Sequence, residues 1–375
     1  MNEIKKDKFG PEYVIEIYDP KIGMEGFLVI DNTALGLGKG GIRMTPTVTK
    51  EEVFRLARVM TWKNSLAGIP FGGAKAGIIW RGGSDELKRE FIRSFARSIK
   101  PFVPKKYIPG PDINTTEKEM MLIAEEVGNW KGATGKPADY CHKNQRTGKK
   151  MCGLPHELGS TGFGVAHATA AAVEAGGFDI KKMTAAIDGF GNVGEFAFKH
   201  LQEMGAKIVA VSGSRGGVYY KNGLDLKKLL KLKSQGKPIT EYSHGEKIAH
   251  SDIFELPVDI LIPASVTDVI NEKNKDKIKA KIIVEGANIP MKENIENELF
   301  QKGIIIVPDF VANAGGVISS YAEYEGCDPK QMFKMVEKKL RCCAKAIMEK
   351  SLEGKINPRE TAMKIAIERI ERKIK

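Results

Sequence analysis

The sequence predicts an α/β protein of two domains, the second a doubly wound parallel sheet. Three observations predict this. The chain has 375 residues, too many for one small domain and typical of two. From about residue 160 onward, short apolar runs alternate with helical segments, as in a parallel sheet covered by helices. One of those runs ends in a glycine-rich turn that opens a helix.

The elements follow in order. Residues 13–45 read as short strands (YVIEIY, GFLVIDNT, GGIRM) punctuated by glycines and Asp-Pro. A helix starts at Thr49, a capping residue with Glu51 and Glu52 in the first turn, and carries Val53, Leu56, Ala57 and Met60 at helical spacing. The glycine-rich segment PFGGAKAGIIW follows. A second amphipathic helix begins after Ser84 with Leu87, Phe91, Ile92, Phe95 and Ile99 on one face, and a third is capped by Thr115 or Thr116. Residues 131–159 are polar, lysine-rich and hold Pro137 and Pro155, so they read as a loop or hinge. Beyond them, strands are expected at 184–187, 207–212, 259–263, 281–285 and 303–308, and charged helices from about 329. The expected domains are residues 1–150, with helices of about 335–375 packing back on them, and residues 151–335.

Composition excludes several classes. Hydrophobic residues make up 42% and charged residues 28%, a globular balance. No apolar run approaches a membrane span, and MNEIKKDKFG has no apolar stretch of a secretory signal, so the expected compartment is the cytoplasm. The five cysteines are an odd number without CxxC spacing and do not read as a disulfide framework. The net charge of +12 comes from cations interleaved with Glu, as in IERIERKIK. These read as solvated helix faces rather than a nucleic-acid surface, and a modest excess of cations suits anionic ligands. Cys141, His142, Cys152 and His156 fall within one segment, but their spacing matches no zinc site, and no metal is expected. The remaining histidines read as helix-face or loop residues.

The turn Gly189-Phe190-Gly191-Asn192-Val193-Gly194 follows an apolar strand and opens a helix, the context a dinucleotide fingerprint requires. Gly189 permits the tight turn, Gly191 lets backbone approach a pyrophosphate, and Gly194 lets helix and strand pack closely. The free N–H groups at the helix start then face the anion. The second domain is therefore expected to be of Rossmann type. The next strand ends in VSGSRGG. Gly213 stands where an NAD site usually has an acid, so Ser212, Ser214 and Arg215 are expected near the adenosine ribose, with NADP favoured over NAD. Asp188, just before the first glycine, has no assigned role.

Three lysines of the first domain sit in constrained contexts: Lys39 in GLGKGGIRM, Lys63 in MTWKNS and Lys75 in PFGGAKAG. A lysine in a partly apolar cleft near other cations can shed its proton and act as a base. Asp112, in GPDINTT, is the expected proton-transfer partner.

Taken in order, GKGGIRM, MTWKNSLAGIPFGGAKAG, GPDINTTEKEM, GSTGFGV, GFGNVG, EGAN and NAGGVISSY resemble the amino-acid dehydrogenases of the glutamate/leucine/phenylalanine/valine type. The resemblance runs from about residue 25 to 325. It implies reversible oxidative deamination of an L-amino acid to a 2-oxo acid and ammonia, with hydride passed to NAD or NADP. Lys63 would bind the α-carboxylate, Lys75 would activate the water that attacks the imine, and Asp112 would shuttle protons. Backbone around Gly40 and Gly41 would line the substrate pocket. Thr161, Ala264, Ser265 and Asn288 would line the cofactor cleft, with Asn313 near the nicotinamide. Domain closure would exclude water. A homo-oligomer, of hexameric type, is also implied.

Members that act on glutamate carry a lysine before the GG of GGIR, and here that residue is Lys39. Ser320, in VISSY, matches the other residue that binds the side-chain carboxylate. A buried cation there would penalise an apolar substrate. Glutamate is the expected substrate, with a leucine-type enzyme and a non-catalytic cofactor-binding regulatory protein as alternatives. The text DNTALGLGKGG is more leucine-like, and residues 138–157 follow no recognisable pattern.

Overall fold

The computed structural model describes residues 4, 6–145 and 147–374. They form two compact units. One comprises residues 1–158, 317–335 and 363–375; the other comprises 159–316 and 336–362. This division differs from the one expected from sequence. The boundary falls at 158/159, and the C-terminal segment is divided, with 336–362 joining the second unit and 317–335 joining the first.

The first unit contains β1 (Tyr13–Asp19), β2 (Met24–Asn32), β3 (Gly38–Thr45), α1 (Lys50–Leu66), β4 (Gly72–Ile79), α2 (Asp85–Ile99), β5 (Tyr107–Gly110) and α3 (Glu117–Val127). Thr49, Ser84 and Thr116 cap the three helices with their hydroxyls. The sheet order is β1-β2-β4-β3-β5, antiparallel at β1/β2/β4 and parallel at β4/β3/β5. Leu28, Ile30, Ile42, Ala76 and Ile78 pack with Phe95 and Ile123 into the main core. Val29, Val53 and Ala57 form a smaller cluster with α1 on the opposite face.

The glycine-rich segment PFGGAKAGIIW, given no element from sequence, contains β4, a central strand. Glycine has low strand propensity, but here it is demanded by packing. A Cβ on Gly73 would lie 2.0 Å from Thr61 Oγ1, and one on Gly77 would lie 2.7 Å from Val53 Cγ2, so the two glycines let α1 approach the sheet.

Residues 131–159 also hold structure. β6 (Cys141–Lys143) and β7 (Lys150–Cys152) form an antiparallel hairpin. Cys141 pairs directly with Cys152 across it, and the two form a disulfide. The cysteines were not expected to form a disulfide framework, and this one bridge corrects that expectation for Cys141 and Cys152. Spacing alone did not reveal it, because the register that opposes the two residues is set by the hairpin.

The second unit runs through α4 (Ser160–Ala175), β8 (Thr184–Asp188), α5 (Asn192–Glu203), β9 (Lys207–Gly213), β10 (Gly216–Tyr219), α6 (Leu226–Ser234), β11 (Glu246–Ile248), β12 (Ile260–Pro263), β13 (Ile282–Val284), α7 (Glu293–Gln301), β14 (Ile305–Val307) and α8 (Asp309–Ala312). Its sheet order is β11-β10-β9-β8-β12-β13-β14. β9, β8, β12, β13 and β14 run parallel, and β10 and β11 add an antiparallel edge not anticipated from sequence. The order reverses at β8, the switch point at which doubly wound sheets bind ligands. Then follow α9 (Gly315–Tyr324), α10 (Pro329–Gly354) and α11 (Pro358–Ile374). Within the first unit, the Arg369 guanidinium donates to the Ser65 and Leu66 carbonyls, and Ser65 Oγ donates to the Ala366 carbonyl, so α11 covers the C-terminus of α1. Among the described residues, no helix is long and apolar enough to cross a membrane.

Candidate active site

Strand alternation assembles the candidate site of the first unit. Side chains two apart share a face. In the parallel β3/β4 pair, Lys39 is opposite Gly73, and Ile42 is opposite Ala76. Ile42, Ala74 and Ala76 enter the main core, so Lys39, Arg43 and Lys75 occupy the other face, the one that α1 covers.

Lys75 Nζ donates to Asp112 Oδ2 at 2.8 Å, with their side chains 9% and 19% exposed. Arg43 Nε reaches the same oxygen at 3.2 Å, and its Nη1 pairs with Glu52 at 2.7 Å. Asp112 follows the end of β5 and is fixed from behind: its backbone N–H donates to Thr115 Oγ1, which donates to the Ile42 carbonyl. Burial pushes the Asp112 carboxyl up, but the Lys75 and Arg43 cations outweigh it and hold the group below the ordinary carboxylate value. Sequence reasoning missed Arg43, although it stands in the GGIRM motif.

Lys39 differs in kind. It is 3% exposed, and among the described residues no ion pair or side-chain hydrogen bond reaches its ammonium. Burial pushes its pKa down to about 7; Glu323 opposes that fall, and Lys75 and Lys136 add to it. Gly110 makes room for it, since a Cβ there would lie 2.4 Å from Lys39 Nζ. Gly40 and Gly41 are buried between strands. A Cβ on Gly40 would meet the Ala74 carbonyl at 1.6 Å, and one on Gly41 would meet the Asp112 Cβ at 2.8 Å. Their lack of side chains is required by packing as well as by any ligand. Lys63 stands half-buried in the last turn of α1.

Ser320 lies on α9 in this same unit, one helical turn before Glu323. Phe71 packs edge-on against Tyr321 and Tyr324 of that helix. The buried Glu323 carboxylate accepts from Lys136 Nζ at 2.5 Å and from the N–H groups of Gly135 and Leu154. Lys136 also lies over the Trp130 ring at 4.0 Å. This pair, separated by 187 residues, was not read from sequence; its one signal was an acid within an otherwise apolar helical stretch.

The other unit carries a candidate site of its own, at the carboxyl end of β8. Gly189 adopts a φ of +99°, open to glycine. A Cβ on Gly194 would lie 1.8 Å from the Gly189 carbonyl oxygen, whereas one on Gly191 would meet nothing within 4 Å. The turn is thus closed where helix meets strand and open where an anion would approach. Asn192, Val193 and Gly194 form the first turn of α5, which has no side-chain cap at Gly191, leaving N–H groups for an anionic ligand. Phe190 is buried.

The other expected cofactor residues come together in part. Ala264 and Ser265 pack against Gly189. Asn313 Nδ2 donates to Asn288 Oδ1 at 2.8 Å. Thr161 opens α4, with its hydroxyl against Gly316 of the NAGG turn. Ser212 is fully buried, Ser214 is exposed, and the exposed Arg215 donates to the Gly236 carbonyl at 3.2 Å. Asp188 now has partners: its buried carboxylate accepts from Ser212 and Ser265 and pairs with His250 Nε2 at 2.7 Å. His250 is therefore tied to the strand ends and is not a plain loop residue. Among the described residues, no group of three or more His, Cys, Asp or Glu side chains is placed to hold a metal.

A doubly wound sheet with this turn, joined in one chain to a unit carrying a buried Lys–Asp pair, is the layout of an amino-acid dehydrogenase. The chain belongs to the Glutamate/Leucine/Phenylalanine/Valine dehydrogenase family, whose model matches residues 153–375, while that of the Glu/Leu/Phe/Val dehydrogenase dimerisation domain matches 11–129. The glutamate dehydrogenase of Aeropyrum pernix is 40% identical over 92% of this chain and 84% of its own. The NADP(+)-dependent glutamate dehydrogenase of Pyrobaculum calidifontis is 40% identical over 80% of this chain and 72% of its own. Among solved structures, a hetero-hexameric glutamate dehydrogenase from Thermus thermophilus, in a leucine-bound form, superposes with a TM-score of 0.81 at 25% identity, covering 97% of this chain and 89% of that one.

Proposed function

We infer that this chain catalyses the reversible oxidative deamination of L-glutamate to 2-oxoglutarate and ammonia, with NAD(P) as the hydride partner. The observation that carries the reading is a buried cation without a counter-ion, Lys39, on the same sheet face as the Lys75–Asp112 pair. An unpaired buried charge is expensive, and a substrate carboxylate would neutralise it. An apolar side chain would leave it unpaired, so the same feature selects against leucine.

In this reading Lys39 and Ser320 take the side-chain carboxylate, and Lys63 takes the α-carboxylate. Backbone at Gly40 and Gly41 shapes the floor of the pocket. The turn from Gly189 to Gly194 fits a dinucleotide, because the Cβ position of Gly191 is open and the α5 N-terminus is uncapped. Ala264, Ser265, Thr161, Asn288 and Asn313 line the remainder of that site. When bound, the cofactor exchanges a hydride with the substrate Cα. Lys75, as the amine, takes a proton from the water that adds to the imine carbon, and its ammonium form stabilises the developing oxyanion. Asp112 takes that proton from the Lys75 ammonium, with which it is paired, and passes it to the amino nitrogen; the C–N bond then breaks, ammonia leaves, and the hydroxyl gives its proton to the Lys75 amine as the 2-oxo group forms. Arg43 holds Asp112 in place between transfers.

NADP is the favoured cofactor. Gly213 supplies no carboxylate to repel a 2′-phosphate, and Ser214 and the Arg215 guanidinium stand exposed at the end of β9; the Pyrobaculum relative is NADP-dependent. Self-association is also proposed. β1 is an edge strand with Tyr18 65% exposed, and it lies in the segment that matches a dimerisation domain. The ligands are small molecules, with no role for nucleic acid or membrane, and the cytoplasm is the proposed compartment.

Initial rates with glutamate or leucine, each with NAD or NADP, test the proposal through the absorbance of the reduced cofactor. Turnover on glutamate that exceeds turnover on leucine supports it. Faster turnover on leucine would reassign the substrate, and no turnover in any combination would remove the catalytic reading.

A further inference from the structure

A cluster of buried charge in the second unit plays no part in the chemistry described above. Three carboxylates, Glu285 after β13, Glu296 on α7 and Asp309 at the start of α8, are 0%, 1% and 7% exposed. Among the described residues, their ion pairs all come from Arg359, in the first turn of α11. Its Nη2 donates to Glu285 at 2.9 Å and to Asp309 at 3.2 Å, and its Nε donates to Glu296 at 2.6 Å. The guanidinium also lies over the Phe310 ring at 5.1 Å. Burial and Asp309 push the Glu285 carboxyl well above the ordinary carboxylate value, and Arg359 opposes the rise. Buried charge of this kind adds little stability, but the same carboxylates also hold backbone. Glu285 Oε2 accepts the Asp309 N–H at 2.7 Å, and Asp309 Oδ2 accepts the Ile289 N–H at 3.0 Å. Ile289 has a φ of +49°, a strained conformation for a side chain branched at Cβ. It directly follows Asn288. Asn288 Oδ1 accepts from Asn313 Nδ2 at 2.8 Å, and the Asn313 N–H donates to the Asp309 carbonyl at 2.9 Å. The contacts close a ring, from Asp309 through Ile289 and Asn288 to Asn313 and back. All of these residues belong to the second unit.

We propose that Arg359 is a positioning residue for the nicotinamide end of the bound cofactor: its fork on Glu285 and Asp309 holds Ile289 in its strained turn and so fixes the Asn288 and Asn313 amides. Two side-chain amides offer both donors and acceptors, the complement of a carboxamide. Such a pairing needs the amides fixed in one orientation. A strained turn persists only where its surroundings hold it, and here the hold is the Asp309 carboxylate. Without Arg359, Glu285 and Asp309 would face each other as buried carboxyl groups with no cation between them. Their repulsion, or the uptake of a proton, would then loosen the contact to Ile289. Glu296 stands apart from the ring, because its one hydrogen-bonded oxygen is spent on Arg359 alone. The inference rests on the assignment of Asn288 and Asn313 to the cofactor site.

The test is calorimetric binding of NADPH and of 2′,5′-ADP to the intact chain, with NADH and 5′-ADP run in parallel. Each second ligand lacks the nicotinamide, so the ratio of the two dissociation constants isolates that end of the cofactor. Arg359→Met should raise the ratio about fivefold or more, the worth of one hydrogen bond, while the affinity for the adenosine half stays constant. Arg359→Lys keeps the charge but not the fork, and its ratio should fall between those of the native protein and Arg359→Met. The double variant Arg359→Met/Glu296→Gln removes one buried carboxylate along with the cation and covers the case in which Arg359→Met does not fold; its ratio should rise as far. Glu296→Gln alone leaves Arg359 on Glu285 and Asp309, so it should lower Tm without moving the ratio. A purely structural role for Arg359 would instead weaken both ligands together, or lower Tm with the ratio unmoved, and either result in the folded Arg359 variants would overturn the proposal. Asn313→Ala reads the assignment beneath it: an unmoved ratio in that variant would overturn the place of the two asparagines at the nicotinamide, whatever Arg359 does.

Discussion

Replacing Lys39 by Leu separates the requirements of folding from those of function. The native side chain is 3% exposed and its pKa is held near 7, against 10.5 in water. The unfolded chain therefore binds more protons between about pH 7 and 10.5, and stability rises with pH across that window. Below about pH 7 the charged lysine weakens the fold by its full amount, about 4–5 kcal/mol from the gap between the two values. Leu removes this charge and leaves some unfilled volume, so the net gain at pH 6.5 should be about 2–3 kcal/mol. For a chain of 375 residues that is a rise in Tm of about 3–4 °C. At pH 9.5, where the native lysine is already largely neutral, the gain should nearly vanish. Catalysis should move the other way. Removing one partner of a buried charge pair costs about 2–5 kcal/mol, so kcat/KM for glutamate should fall ~100-fold or more, while kcat/KM for leucine holds or rises. Scanning calorimetry at the two pH values and initial rates on both amino acids provide the measurements. A Lys39→Leu protein that is less stable at pH 6.5, a gain independent of pH, or equal losses on both substrates would refute the reasoning.

Other outcomes follow from the same geometry. Asp112→Asn keeps the size of the side chain but cannot accept and pass on a proton, so kcat should fall ~100-fold or more with little change in the glutamate KM, as steady-state rates at fixed pH will read. Gly191→Ala meets open space and should leave Tm unchanged while raising the cofactor Kd at least about tenfold, because it fills the approach to the pyrophosphate; fluorescence titration of reduced cofactor checks this. Gly194→Ala places a carbon 1.8 Å from the Gly189 carbonyl oxygen and should lower Tm even without cofactor, by an overpacking penalty of about 1–3 kcal/mol or more. Arg215→Ala removes a charge-assisted contact of about 1.5–3 kcal/mol to a 2′-phosphate, so affinity for 2′,5′-ADP should drop at least about tenfold while that for 5′-AMP stays constant.

Much of the architecture was legible because its signals are local. Thr49, Ser84 and Thr116 cap the helices they were expected to cap, since a hydroxyl satisfies amides two or three residues away. The apolar runs at 184–187 and 207–212 are parallel strands, and the glycine turn stands between β8 and α5. β4 was lost because its glycines speak against a strand; their reason lies in α1, whose Thr61 and Val53 press on the positions where side chains would stand. The hairpin joining Cys141 to Cys152 was lost because a polar, lysine-rich stretch carries no periodicity. The contact of His250 with Asp188 was lost because it joins residues 62 apart in the chain.

The sequence by itself determined which residue types were available and which short segments would form helices, strands and the anion-facing turn, because capping, periodicity and glycine spacing act within a few residues. Only the tertiary structure decided which charges share an interior. It placed Lys39, Lys75 and Arg43 on one sheet face, set Asp112 against two of them, and brought Glu323 across 187 residues to Lys136. The physical reason is that proton affinity and ion pairing depend on burial and on distances of a few ångströms, and sheet register, not chain order, sets those distances.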